Sequence, residues 1–291
     1  MYKDSKNNDS KNIIGYVPLR NGLKEVTTLD NYFLTYTFAQ KMYWKTLRDM
    51  TNIFYNAYIE HYKDTSITPI EGEIIVKTEV THYENVETAT PKRQDMRIGS
   101  DKKIDYVEFQ RRPHPNLPID ERSVQYFGFS LTSGCDKHTS HLWLLDGEVG
   151  KLLQKDTFAN YILMTEIDHH PHPNTNNILY VNLKRLARAD TPAGELANVL
   201  IGKVKTPTYP EVRLILKNLK NSFEVFREDN KVRDYMNIRE QQVAIGEAKA
   251  RAELTPIIAE KDEQLSEKDE QLSKKDKQIA ELKAQLAKQN N

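Results

Sequence analysis

QDMRIGSDKKIDYVEFQRR, residues Gln94 to Arg112, is the stretch on which the fold turns. Asp95 stands on its first extended run and the triplet Glu108-Phe109-Gln110 on its second, with a polar turn at Gly99-Ser100-Asp101-Lys102 between them. A simple antiparallel hairpin centred on Asp101 and Lys102 pairs residues whose numbers add to 203, and Asp95 with Glu108 satisfies that rule. The two carboxylates are then expected across the ladder from each other, roughly 4.5–5.5 Å apart at Cβ. Like charges so placed repel unless something positive lies between them. Hard oxygen ligands of this kind suit a divalent cation.

Side chains alternate along a strand, so Ile104, Tyr106, Glu108 and Gln110 share one face and Asp105, Val107, Phe109 and Arg111 the other. Glu108 and Gln110 are neighbours, with Phe109 anchoring the opposite side. A carboxylate followed two residues later by a hydrogen-bonding side chain divides the work of phosphodiester hydrolysis: one ligates a metal, the other positions water or a phosphate oxygen. The competing reading makes both residues the polar face of an amphipathic strand.

Outward from this hairpin the chain reads as a mixed α/β core with helices on its faces. Residues 1–20 are polar and expected to be flexible. A helix follows, with Thr28 or Asp30 as N-cap and Tyr43, Leu47, Met50, Phe54 and Tyr58 recurring at helical spacing. GEIIVKTEV (Gly72 to Val80) reads as a buried strand, and Pro113, Pro115 and Pro118 place RRPHPNLPID in a loop. Asp120 caps a helix expected to stop near Gly134. SHLWLLDG is a further strand, NYILMTEI and NILYVNLKRL form a strand pair, and TPAGELANVLIG is a helix opened by Pro192 and closed by glycine. The main domain is expected over 21–235.

A helical tail over 236–291 has a different character. Beyond Pro256 it repeats every seven residues (EKDEQLS, EKDEQLS, KKDKQIA, ELKAQLA), placing Ile258, Leu265, Leu272, Ile279 and Leu286 seven apart. A coiled coil needs a second apolar seam, and here that seam is Lys or Asp until Leu282. Two readings stand: a homo-oligomer formed through residues 256–291, or a solvated single helix held by charge pairs.

Lysine plus arginine equals aspartate plus glutamate at 42 each, so any nucleic-acid binding must come from a local patch. Lys92, Arg93, Arg97, Lys102, Lys103, Arg111 and Arg112 could form one, or could simply solvate the hairpin. Cys135 is the only cysteine, which excludes an internal disulfide and a thiolate zinc site. The opening MYKDSKNNDSKN has no apolar signal-peptide core, and no run suits a bilayer span. The expectation is a soluble, cytoplasmic protein. Asp168-His169-His170-Pro171-His172 reads as a polar loop rather than a metal site.

Asp95 with Glu108-Phe109-Gln110 resembles the D…(D/E)-x-K signature of the PD-(D/E)XK nuclease superfamily, and more narrowly its transposase and Rpn recombination-promoting branch, where the triplet commonly reads acid-hydrophobe-glutamine. DNYFLTYTF (Asp30 to Phe38) is similar to that branch's opening helix, RSVQYF (Arg122 to Phe127) to its R-x-x-Y helix, and NILYVNLKRL to its late strand and helix. The resemblance spans roughly residues 25 to 235. It implies a restriction-endonuclease-like mixed β-sheet core and metal-dependent cleavage of DNA phosphodiester bonds, in a mobile-element or recombination setting. Asp95 and Glu108 would bind Mg²⁺ or Mn²⁺, helped by the Phe109 carbonyl. Gln110 stands where lysine is usual, so charge stabilisation would fall on the metal or on Arg122. Arg122 is a candidate phosphate clamp, or an arginine tied to a core acid. Asp30 is a possible additional carboxylate, or simply the helix cap. Two alternatives remain: a degenerate nuclease fold that binds DNA or acts as a scaffold, and a coiled-coil assembly protein unrelated to nucleic acid.

Overall fold

A computed structural model describes residues 13–82, 92–110, 121, 123–124, 138–146, 153, 156–162, 177–203 and 206–289. The first element is a hairpin of β1 (Ile13–Leu19) and β2 (Gly22–Thr27). Strand β1 lies within residues 1–20, the segment that composition alone reads as flexible.

The single helix expected from residue 28 onward is two helices. Helix α1 (Asn31–Phe38) is capped by Asp30, whose carboxylate accepts from the Phe33 N–H at 3.1 Å. Extended backbone at Gln40 and a 3₁₀ turn over Lys41–Tyr43 then redirect the chain into α2 (Trp44–Tyr62). The Trp44 indole N–H donates to the Phe38 carbonyl at 3.1 Å, satisfying one of the acceptors that the end of α1 leaves open. Leu47, Met50, Phe54 and Tyr58, the residues of the 3.6-residue period, are buried on α2.

Six strands form one mixed sheet in the order β3-β4-β5-β6-β8-β7. Strands β3 (Ile75–His82), β4 (Lys92–Gly99) and β5 (Lys103–Gln110) run antiparallel in sequence. β6 (His138–Leu145) lies parallel to β5, and β8 (Asn177–Asn182) parallel to β6. β7 (Phe158–Ile162) closes the edge antiparallel to β8; of the strand expected over NYILMTEI, residues 163–167 lie outside the described residues. The parallel centre is covered on both sides: β6 from Thr139 onward and all of β8 are buried.

Helix α3 (Leu183–Leu186) follows β8 directly. Helix α4 (Pro192–Ile201) has Thr191 as cap, Pro192 in its first turn and Gly202 at its end with φ 101°, a left-handed backbone that glycine adopts without cost. Helix α5 (Pro210–Glu228) buries Val212, Ile215, Leu219, Phe223 and Phe226. Phe223 and Phe226 meet Phe33 of α1 edge to face, with ring centroids 5.7 and 5.3 Å apart. Helix α6 (Asn230–Gln289) completes the chain. Contacts divide the molecule into a unit ending at Val232 and one beginning at Arg233. Among the described residues no helix is long and apolar enough to cross a membrane.

Of the helix expected from Asp120, only Glu121, Ser123 and Val124 lie within the described residues, and they are helical. Arg122, Cys135 and the loop Asp168–His172 lie outside them.

Candidate functional site

The register between β4 and β5 follows the sum of 203 from Gly99–Ile104 to Met96–Val107. There the ladder stops. Asp95 and Glu108 occupy the next position, where a regular hairpin would continue, and the two strands are joined instead through side chains. The Asp95 N–H donates to Glu108 Oε1 at 3.0 Å, and the Phe109 N–H donates to Asp95 Oδ2 at 2.9 Å. Each carboxylate thus takes the backbone donor of the opposing strand. The expectation that the acids sit across a continuous ladder is corrected by one step: they fill the fork at its end.

This arrangement needs β4 to leave its regular pairing at Asp95. The β3–β4 ladder pairs Thr78 with Met96 and Val80 with Gln94, and the Asp95 N–H between them turns toward Glu108. A third element fixes the remaining Asp95 oxygen. Asn31, the first residue of α1, donates its side-chain N–H to Asp95 Oδ1 at 2.7 Å. The N-terminal end of α1 also carries positive partial charge, which favours a carboxylate there. Asp30 caps α1 one residue earlier, so the polar contact from the opening helix comes from Asn31.

Glu108 is 1% exposed, its register partner on β6 is Trp143, and Trp143 in turn pairs with Tyr180 on β8. Two residues earlier on the same face, Tyr106 stacks on His141, with ring centroids 4.7 Å apart and an interplanar angle of 26°. Ser123, beside Arg122 in sequence, hydrogen-bonds the Tyr180 hydroxyl and so packs on this face. Gln110 ends β5, half-buried, on Glu108's side of the sheet. Its carbonyl accepts from the Asp146 N–H at 2.9 Å and points to β6. Alternation therefore turns the Phe109 carbonyl, like the Phe109 N–H, toward β4 and the fork.

The opposite face of β5 carries another buried acid. Asp105 accepts from the Tyr55 hydroxyl at 2.8 Å and pairs with Lys103 Nζ at 2.9 Å. Lys103, on the basic list from sequence, is buried, lies 4.8 Å from the centre of the Tyr55 ring, and also donates to the Thr68 carbonyl. It is an internal counter-ion and offers nothing to a surface patch. Burial raises the Asp105 carboxyl above the usual range, an effect that Lys103 and Tyr55 oppose.

Of the residues singled out from sequence, Asp95 and Glu108 are brought together, Gln110 lies beside them, and Asp30 serves as a cap. Asn31, Tyr106 and His141 are additional neighbours on or around this site. The signal for Asn31 was weak: one polar residue after a cap. His141 was concealed in an apolar run. Among the described residues there is no group of three or more His, Cys, Asp and Glu side chains arranged to hold a metal. No protein-family model matches the chain, and no curated protein matches it.

Proposed function

We propose that this chain is a metal-dependent DNA endonuclease of mobile-element or recombination type, built on a restriction-endonuclease-like core and hydrolysing phosphodiester bonds at the β4–β5 fork. The observation that carries the reading is the reciprocal seating of Asp95 and Glu108, each holding the other strand's backbone N–H. That exchange brings each carboxylate onto the opposing strand and holds both at the same fork. Two hard anionic oxygen donors, with the Phe109 carbonyl turned toward the same fork, suit Mg²⁺ or Mn²⁺. Such an ion supplies charge neutralisation at the phosphate and acidifies water.

The chain's own residues do the positioning. Asn31 fixes Asp95, and Phe109 anchors β5 from the opposite face. The Gln110 amide can orient water or donate to a phosphate oxygen, but it carries no charge and is no base. Arg122 is the proposed phosphate clamp.

The test is nicking of supercoiled plasmid in Mg²⁺ or Mn²⁺. Wild type converts it to open circles, whereas Asp95→Ala and Glu108→Ala, folded by circular dichroism, do not. Cleavage at the wild-type rate by both variants would sink the reading. A second reading, a nuclease-like scaffold that binds DNA without cutting, draws on the same hydrogen bonds, because they already engage both carboxylates. Isothermal titration with Mn²⁺ separates the two: binding lost in Asp95→Ala supports the enzyme, and no binding by wild type supports the scaffold.

A further inference from the structure

We propose that α6 pairs with α6 of a second copy of this chain as an antiparallel coiled coil over residues 254–286. Along this helix Leu254, Ile258, Leu265, Leu272, Ile279 and Leu282 are each between 50% and 59% exposed. Placing Ile258, Leu265, Leu272 and Ile279 at heptad position a puts Leu254, Lys261, Lys268, Lys275 and Leu282 at position d. The seam therefore has one apolar row and one row that is lysine in the middle and leucine at both ends. Pro256 falls at position f, so its ring lies on the face away from the seam.

The lysine row decides the orientation. In a parallel pair each d residue faces its own copy, stacking Lys261, Lys268 and Lys275 against themselves in three like-charged layers. In an antiparallel pair a faces d, and a single register, in which facing numbers add to 540, uses every layer. Ile258 then meets Leu282 of the second copy, Lys261 meets Ile279, Leu265 meets Lys275, and Lys268 meets Leu272. No layer holds two lysines. Each lysine lays its methylene stem over an apolar partner and carries its amine to the flank. There Asp262, Asp269 and Asp276 stand at position e, the flank shared by d residues of both helices, and supply the opposite charge. The same pattern that makes a weak parallel zipper makes a matched antiparallel one.

The full chain is tested by sedimentation velocity across 1–100 µM. The expected result is a monomer–dimer equilibrium that Leu265→Ser/Leu272→Ser weakens more than tenfold; both side chains are exposed on α6, so the variant keeps its helix. Orientation is read by a short bifunctional thiol cross-linker in a Cys135→Ser background. Lys261→Cys mixed with Ile279→Cys should give a cross-linked heterodimer, and neither variant alone should cross-link to itself. Cross-linking of Lys261→Cys with itself would show a parallel pair and overturn the proposal. So would a monomer at every concentration, which would make α6 a solvated single helix.

Discussion

Asp105 and Glu108 lie three residues apart on one strand, and both are buried, yet the fold treats them differently. Asp105 faces α2, where a lysine, a tyrosine hydroxyl and an aromatic ring complete its surroundings. Glu108 faces the other way, at the point where two strands part, and accepts from the backbone N–H of Asp95, itself an acid. A carboxylate neutralised by a neighbouring ammonium is an internal ion pair, and its main effect is on stability. A carboxylate that shares the end of a ladder with a second carboxylate offers a cation two hard oxygen donors. Burial alone does not separate these two settings; the groups set against each carboxylate differ.

The sharpest way to break this contrast is to neutralise each acid in turn. Glu108→Gln keeps an acceptor for the Asp95 N–H and should lower metal-dependent nicking roughly 10³-fold, the order expected from losing several kcal/mol of charge stabilisation. Asp105→Asn should leave nicking per folded molecule within threefold of wild type, measured on the same plasmid. Equal losses in the two would erase the distinction.

Removing the counter-ion probes stability on the other side of the strand. Lys103→Met strands a buried carboxylate and should cost about 3–5 kcal/mol in urea unfolding. Lys103→Met/Asp105→Leu/Tyr55→Phe, which removes the whole polar group, should recover at least half of that loss. A smaller effect is expected from Asn31→Ala, which frees Asp95 Oδ1: Mn²⁺ affinity by calorimetry should fall about tenfold, as for other groups that orient a metal ligand.

The mildest prediction concerns His138, the sheet neighbour of Lys103. Burial and then the nearby Lys103 charge hold its imidazole below the ordinary value of 6.5. The folded state therefore binds fewer protons than the unfolded chain below that pH, and stability falls as pH drops from 6.5 toward the depressed folded value. His138→Gln should flatten this part of the profile in unfolding measured from pH 7 to pH 5.

The β4–β5 register was legible because its turn is local and its polar residues are unmistakable. Where that ladder ends was not, because the fork depends on Asn31, which is 64 positions from Asp95 in sequence. Periodicity found the buried stripe of α2, but the break before it rests on a side-chain bond from Trp44 to Phe38 that no apolar pattern encodes. Lys103 and Asp105 could be seen to share a face, though not which layer would cover it. The hairpin at the start carried a signal, Asn21-Gly22 between two runs, but exposed Tyr16 and Leu23 blur its alternation.

That hairpin sets a practical boundary for anyone handling the protein. A Cβ on Gly15 would come within 2.0 Å of the Phe223 ring, so β1 lies flush on the aromatic cluster of α1 and α5 with no space to spare. Thr28, just beyond β2, anchors the same end by donating to the Val199 or Leu200 carbonyl, each at 2.9 Å. Trimming the chain to residue 28, the natural choice if its beginning is taken for a dispensable leader, would uncover Phe223 and present sticky aromatic surface to water. Expression vectors should keep residues 13–27, and affinity tags belong ahead of them.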